Sequence, residues 1–185
     1  MFFRLVLFGV LLSAAGATLA PAAETNGAWI DVPFFAQSKD GCGSAAIAMV
    51  MAYWSKKEGR PVPSSADPAV IQAALYSPKA RGIKASDMQR YFQKSGYQVF
   101  VFNGDWQTLR HHLNLGRPLI VALQASGSLE PLHYVVVVGL DWERGSVFVN
   151  DPAQQKMLRI SRSGFQSEWA PIHNWTLLAV PRTSD

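Results

Sequence analysis

A single cysteine, Cys42, occurs in the 185-residue chain, and that scarcity excludes an internal disulfide. Exported proteins normally use cysteines in pairs, so a lone one is a buried small hydrophobe, an intermolecular bridge or a reactive thiol. Zinc-type Cys/His spacing, a phosphate-cradling glycine loop, internal repeats and low-complexity tracts are also missing, which removes the metal, nucleotide and solenoid architectures that depend on them. No cofactor is implied. Nor does any basic stretch interleave with aromatics: apart from Lys56-Lys57 the positive residues are scattered, and the formal net charge is only +4. A nucleic-acid surface is therefore not expected.

What is present begins with an export-type N-terminus. Arg4 precedes the apolar run Leu5 to Leu12, and an alanine-rich stretch follows, the three-part layout of a secretory signal peptide. Ala20-Pro21-Ala22 offers a cleavage site before Ala23, with Ala15-Gly16-Ala17 as an earlier option; an uncleaved membrane anchor is the competing reading. Residues 1–22 are thus expected to be a signal peptide, residues 23–185 one domain, and the location periplasmic or secreted. The 49% apolar content is enough for a substantial core.

Along that domain, Trp29 to Phe35 reads as an extended lead-in, and Gly43 to Trp54 as an alanine-rich helix that is apolar nearly all round and so must be buried. Asp67 caps a short helix to Leu75. Ser86-Asp87-Met88-Gln89 has the form of a capping box, opening a helix that Ser95-Gly96 ends. Further helices are predicted over Asp105 to Leu115 and around Phe165 to Trp169. Strands are predicted over Tyr97 to Phe102, Leu119 to Leu123, Leu132 to Leu140, Ser146 to Asn150, Met157 to Ile160 and Trp175 to Val180. Helices lead and strands follow, the order of an α+β domain with a mainly antiparallel sheet.

Chemistry gathers around the thiol. Cys42 stands at the first turn of the buried helix with Gly41 and Gly43 on either side, where the helix dipole favours a thiolate and glycines let a substrate backbone approach. Attack on an amide carbonyl builds charge on oxygen, and the side-chain amide of Gln37, five residues upstream, is placed to join the Cys42 N–H as an oxyanion donor. Four histidines compete as base. His111 and His112 lie on an amphipathic helix and His173 in a loop, whereas His133 opens the most hydrophobic strand, where its ring needs a partner. Asp141 is eight strand residues away, about 26 Å at roughly 3.3 Å per residue, and too far. A hairpin turning at Asp141 to Gly145 instead returns Asp151 to His133, small bulges setting the register, so that the carboxylate can orient the imidazole.

Gln37…Cys42-Gly43, the alanine-rich helix, His133-Tyr134 leading a valine strand, and Asp151-Pro152 resemble the bacteriocin-processing peptidases that cut leader peptides after a double glycine, a family of papain-like cysteine peptidases. The likeness runs from about Asp31 to Pro181. It implies a papain-like fold with Cys42 as nucleophile, His133 as base, Asp151 as orienting acid and Gln37 in the oxyanion hole. Many members have Gln six residues before Cys, an aspartate directly before it and a proline two after it; here the spacing is five, Gly41 precedes Cys42 and Ser44 takes the proline position, which points to a stand-alone branch. The best-known members are fused to an exporter and act on its cytoplasmic side, whereas this chain opens on an export-type segment.

The expected activity is cleavage of a peptide bond through an acyl-enzyme on Cys42, in a groove between the helical half and the sheet half. Glycine-rich peptides suit a narrow groove, and a secretion machine is the corresponding partner. Two other readings stand beside it: a non-catalytic module of the same fold that binds or escorts an exported peptide, and a cell-wall amidase or transpeptidase using the same thiol chemistry.

Overall fold

The computed structural model describes residues 27–124 and 127–182; the expected signal segment and its cleavage position lie outside them. The chain enters through β1 (Gly27–Trp29) and runs extended to the alanine-rich helix α1 (Cys42–Lys57), all of whose residues from Gly43 to Ser55 are buried. With no polar face to leave in water, α1 is enclosed on all sides. Asp67 caps α2 (Pro68–Leu75), its carboxylate accepting from the N–H groups of Ala69 and Val70 at 2.7 and 3.4 Å. A two-stranded hairpin unforeseen in the sequence follows, β2 (Tyr76–Ser77) with β3 (Gly82–Ile83).

The next helix, α3 (Ala85–Lys94), corrects the capping-box expectation. Its N-cap is Lys84, without a side-chain bond, so Ser86 lies inside the first turn rather than ahead of it. The reason is tertiary: Ile83 is held by packing against α1, and the chain turns helical as soon as it leaves that contact. Then come β4 (Tyr97–Asn103) and α4 (Trp106–Asn114), capped by Asp105, which accepts from Thr108 N–H at 2.6 Å. The remainder is β5 (Leu119–Leu123), β6 (His133–Asp141), β7 (Ser146–Asn150), β8 (Leu158–Ser161), α5 (Arg162–Trp169) and β9 (Trp175–Pro181).

Seven strands form one sheet in the order β4-β9-β5-β6-β7-β8, with β1 pairing β6 beyond the end of β5. Every described pairing is antiparallel. Alternation along β6 divides the core into two layers: Tyr134, Val136 and Val138 pack with α1, while Val135 and Val137 pack with Leu109 and Leu113 of α4 and with Phe165 and Trp169 of α5.

The β6–β7 hairpin carries a β-bulge. Gly139 pairs with Phe148, but Val137 pairs with Val149, so Val138 is an extra residue, and Ile30 N–H caps its carbonyl at 2.9 Å. A one-residue shift reverses the facing of everything beyond it. With the bulge, Val136 lies opposite Asn150, and continuing the ladder sets Asp151 opposite Val135, on the face to which His133 belongs. Without it Asp151 would fall opposite Val136, on the other face.

Asn150 then fixes the approach to the loop. Fully buried, it donates from Nδ2 to the carbonyl of Val32 at 3.1 Å and accepts from Met157 N–H at 3.0 Å, joining the lead-in segment to the turn after β7. Replacing it strands a buried carbonyl and a part-buried N–H, together worth about 2–4 kcal/mol. Asn150→Ala is therefore expected to lower unfolding free energy by about 2–4 kcal/mol in urea titration, whereas Gln155→Ala, at an exposed position, should change it by less than about 0.5 kcal/mol.

Candidate active site

Cys42 is the first residue of α1 and is half-buried. The approach to it is a tight turn: Gly41 N–H donates to Ser38 O at 3.0 Å, Asp40 adopts a left-handed φ of 56°, and the Ser44 hydroxyl donates back to Gly41 O at 2.9 Å. A short polar side chain tolerates that conformation, and the Asp40 carboxylate accepts from Tyr76 Oη at 3.2 Å. The flanking glycines also have a packing role. A Cβ at position 43 would come within 3.0 Å of Ile83 Cβ and 3.4 Å of Tyr134, and one at position 41 within 2.9 Å of Ser38 Oγ. Both glycines allow close packing around the Cys42 turn.

His133 is the first residue of β6, so it meets Cys42 where two elements begin, at the end of the sheet rather than across one of its faces. The thiol reaches the carbonyl of the preceding residue, Leu132, at 3.9 Å. The ring is about a third exposed, and its Nε2 bonds Asp151 Oδ1 at 2.7 Å. That bond leaves Nδ1 as the ring nitrogen available to Cys42. Burial opposes a charge on the imidazole, but the hydrogen bonds to Asp151 and Cys42, together with their negative charge, outweigh it and raise His133 to about 10. Asp151 is pulled both ways: burial raises its pKa, and the bond to His133, the imidazolium charge and the bonds from Ala153 and Gln154 prevail and hold it below the ordinary carboxylate range.

The buried carboxylate is well satisfied. Besides His133, Ala153 N–H donates to Oδ1 at 2.9 Å and Gln154 Nε2 to Oδ2 at 2.7 Å, while the Asp151 backbone closes the turn with Gln154 and Gln155. Gln154 and Asn150 are residues that sequence reasoning missed. Asn150-Asp151-Pro152 marked a turn, but nothing local says which later side chain folds back onto the carboxylate. Gln37 is tied to the same turn through its backbone, donating to Pro152 O at 2.9 Å, and its Oε1 is buried with no hydrogen-bond partner among the described residues. The structure thus pairs His133 with Asp151 and brings Cys42 to the residue before His133, while Gln37 is tied through its backbone to the turn that carries Asp151.

The competing residues are elsewhere. His111 and His112 contact each other on α4, ring centroids 5.2 Å apart, with His112 packed on Phe102. His173 occupies a left-handed turn before β9. Asp141 closes the β6–β7 hairpin, accepting from Arg144 N–H at 2.9 Å and its guanidinium at 3.1 Å. Burial and then the negative charge of Cys42 push the Tyr134 phenol far above its ordinary value, so it lines the site as a neutral group.

A depression of about 510 Å³ opens beside the Cys42 turn, lined by Lys39, Asp40, Gln72, Ala73, Tyr76 and Pro78. A larger one of about 730 Å³ lies at the opposite end of α1, among Glu58, Arg60, Tyr97 and Arg182, and shares no residue with the site. Among the described residues no His/Cys/Asp/Glu group could hold a metal ion.

Solved structures share this arrangement of helices and sheet. The peptidase domain of Streptococcus ComA, a bi-functional ABC transporter of a quorum-sensing pathway, is 24% identical, with a TM-score of 0.63 over 82% of this chain and 100% of that one. A C39-like protein from Bacillus anthracis is 17% identical, also at a TM-score of 0.63, over 85% of this chain and 99% of that one. A double-glycine-motif protease from an AMS/PCAT transporter, solved with its leader peptide, is 20% identical at 0.63, over 84% and 95%. No curated protein matches the chain. These likenesses identify the fold as that of the C39 papain-like peptidase domains. The Peptidase_C39 like family matches residues 29–176, a span that contains the thiol, the imidazole, the carboxylate and Gln37, and the chain belongs to that family.

Proposed function

We propose that the protein is an exported cysteine peptidase that cleaves a peptide bond next to glycine, after a double-glycine leader sequence, through an acyl-enzyme on Cys42. The observation that carries this reading is the 2.7 Å bond from His133 to Asp151 in a ring that also engages Cys42. Membership of a family of double-glycine-type peptidases supports the substrate class, and the leader peptide bound to the AMS/PCAT protease supports an extended peptide as partner. The layout of residues 1–22 supports export to the periplasm or beyond, with a secretion machine as the source of substrate.

In the proposed reaction the thiol proton passes to His133, whose raised pKa favours the thiolate–imidazolium pair. The sulfur adds to the scissile carbonyl, forming a C–S bond, and the oxyanion takes hydrogen bonds from Cys42 N–H and the Gln37 amide. Imidazolium then gives its proton to the leaving nitrogen as the C–N bond breaks, and a thioester stays on Cys42. Water loses a proton to the neutral imidazole and attacks the thioester; the C–S bond breaks, the acid product departs, and the thiolate–imidazolium pair returns. Asp151 takes no proton. It holds the ring and stabilises its charge.

The reading is tested by mass spectrometry of double-glycine leader peptides incubated with the wild type and with Cys42→Ala. Cleavage at the glycine pair by the wild type alone is expected; intact peptides with both proteins would overturn it. Asp151→Asn should keep the fold but lower kcat/KM by at least about 100-fold, and the basic limb of its pH profile should move to lower pH, because the partner that raises His133 is lost.

Stability follows the same titration. A group raised in the folded state from its ordinary value near 6.5 to about 10 contributes stability fully below pH 6.5 and loses that contribution as pH rises toward 10. The depressed Asp151 contributes at neutral pH and loses its part as acid protonates it. In urea titrations the stability gap between wild type and His133→Gln should therefore be larger at pH 6 than at pH 10. An equal gap at both would contradict the assigned charge state.

A further inference from the structure

Two walls stand beside the sulfur, and one ion pair joins them. The first wall is the β2–β3 hairpin, which is seated on the Cys42 turn: Tyr76 Oη bonds the Asp40 carboxylate, Gly82 packs over the Asp40 carbonyl and Ile83 packs on Gly43. The second is the segment leading into β6, where Leu132 O takes the thiol and His133 follows. Arg81, two residues before Ile83, reaches across to Glu130, three residues before His133, with Nη2 to Oε2 at 2.8 Å. Both ends are braced. Arg81 N–H donates to Pro78 O at 3.2 Å within the hairpin turn, Glu130 O accepts from Gln124 Nε2 at 2.9 Å, and Glu130 N–H donates to Ser128 Oγ at 3.0 Å.

Nothing in the core calls for this pair. It is solvent-exposed at both ends and makes no part of the His133–Asp151 pair. Its effect is to limit how far the hairpin and the β6 lead-in can separate. We propose that the Arg81–Glu130 pair is a specificity device, a brace across the approach to Cys42 that admits slender, glycine-like segments and holds out bulky ones. The pair links the hairpin turn to the segment before His133; its consequence for substrate choice rests on the peptidase reading above. An exposed pair contributes little, so selectivity should be graded, several-fold rather than absolute, and should weaken as salt screens the charges.

Access to the thiol tests the brace whether or not the protein cleaves peptides. Cys42 is alkylated with uncharged iodoacetamide and with a bulky polymer-bearing maleimide, in wild type, Arg81→Gln, Glu130→Gln and the charge-exchanged double variant Arg81→Glu/Glu130→Arg. The bulky-to-small rate ratio should rise about threefold to fivefold in each single variant and return toward wild type in the exchange. Raising salt should increase the ratio in wild type and leave the single variants unchanged. Equal ratios in all four proteins, with unaltered circular dichroism, would overturn the proposal, as would an exchange that stays as open as the single variants. Where peptides are cleaved, the same variants should lower the preference in kcat/KM for glycine over large residues at the scissile position by a similar factor. Selective labelling without any cleavage would remove the peptidase reading and leave the brace standing.

Discussion

One extra residue in a hairpin holds the site together. Val138 has no partner on β7, and the register beyond it is displaced by one, so the chain leaves β7 with Asp151 on the face of His133 rather than behind it. A carboxylate buried there without partners would protonate or unfold its surroundings. It is tolerated because the imidazole, Ala153 N–H and Gln154 all donate to it, and because Asn150 clamps the start of the same turn to Val32. The 2.7 Å bond to His133 is the outcome of that whole arrangement, and the charge state of the ring depends on it.

The thiol is placed by a different constraint. A helix that is apolar on every side can only be buried, so its first residue arrives at the surface where the core ends. Gly41 and Gly43 let the turn and the helix close against Ser38, Ile83 and Tyr134, which seats Cys42 at a defined point beside the first residue of β6. Helix burial and strand register are thus separate devices that meet at one edge of the sheet. The thiol stands there at the first residue of α1, next to the carbonyl of Leu132 that precedes the imidazole. Gln37 belongs to the same assembly through its bond to Pro152, which ties the segment before α1 to the loop after β7.

Most of the elements could be read from the chain because their causes are local. The continuous apolar character of residues 43–54 allows nothing but a core helix, Asp67 caps α2 in the structure as its residue type leads one to expect, and the β-branched run after Leu132 is a strand. Where local and tertiary preferences disagreed, the tertiary one prevailed: Ser86 looks like a cap, yet α3 starts earlier, at Ala85, because Ile83 is anchored on α1. The β2–β3 hairpin escaped notice since its strands have two residues each and no alternation to reveal them.

Residue identities alone limit the available chemistry to one thiol at a helix start, one histidine opening an apolar strand and one aspartate at the end of its return, each of which needs a partner for reasons of dipole and desolvation. Their convergence is a matter of how the chain packs. A bulge at Val138 is not encoded by any residue type in that valine run, because four similar side chains can pair in either register, and the choice falls to what the finished hairpin must satisfy on both faces. Gln154 and the Arg81–Glu130 pair are invisible for the same reason. Side-chain contacts between residues far apart in the chain follow from where the backbone has been carried, and that is a property of the packed whole.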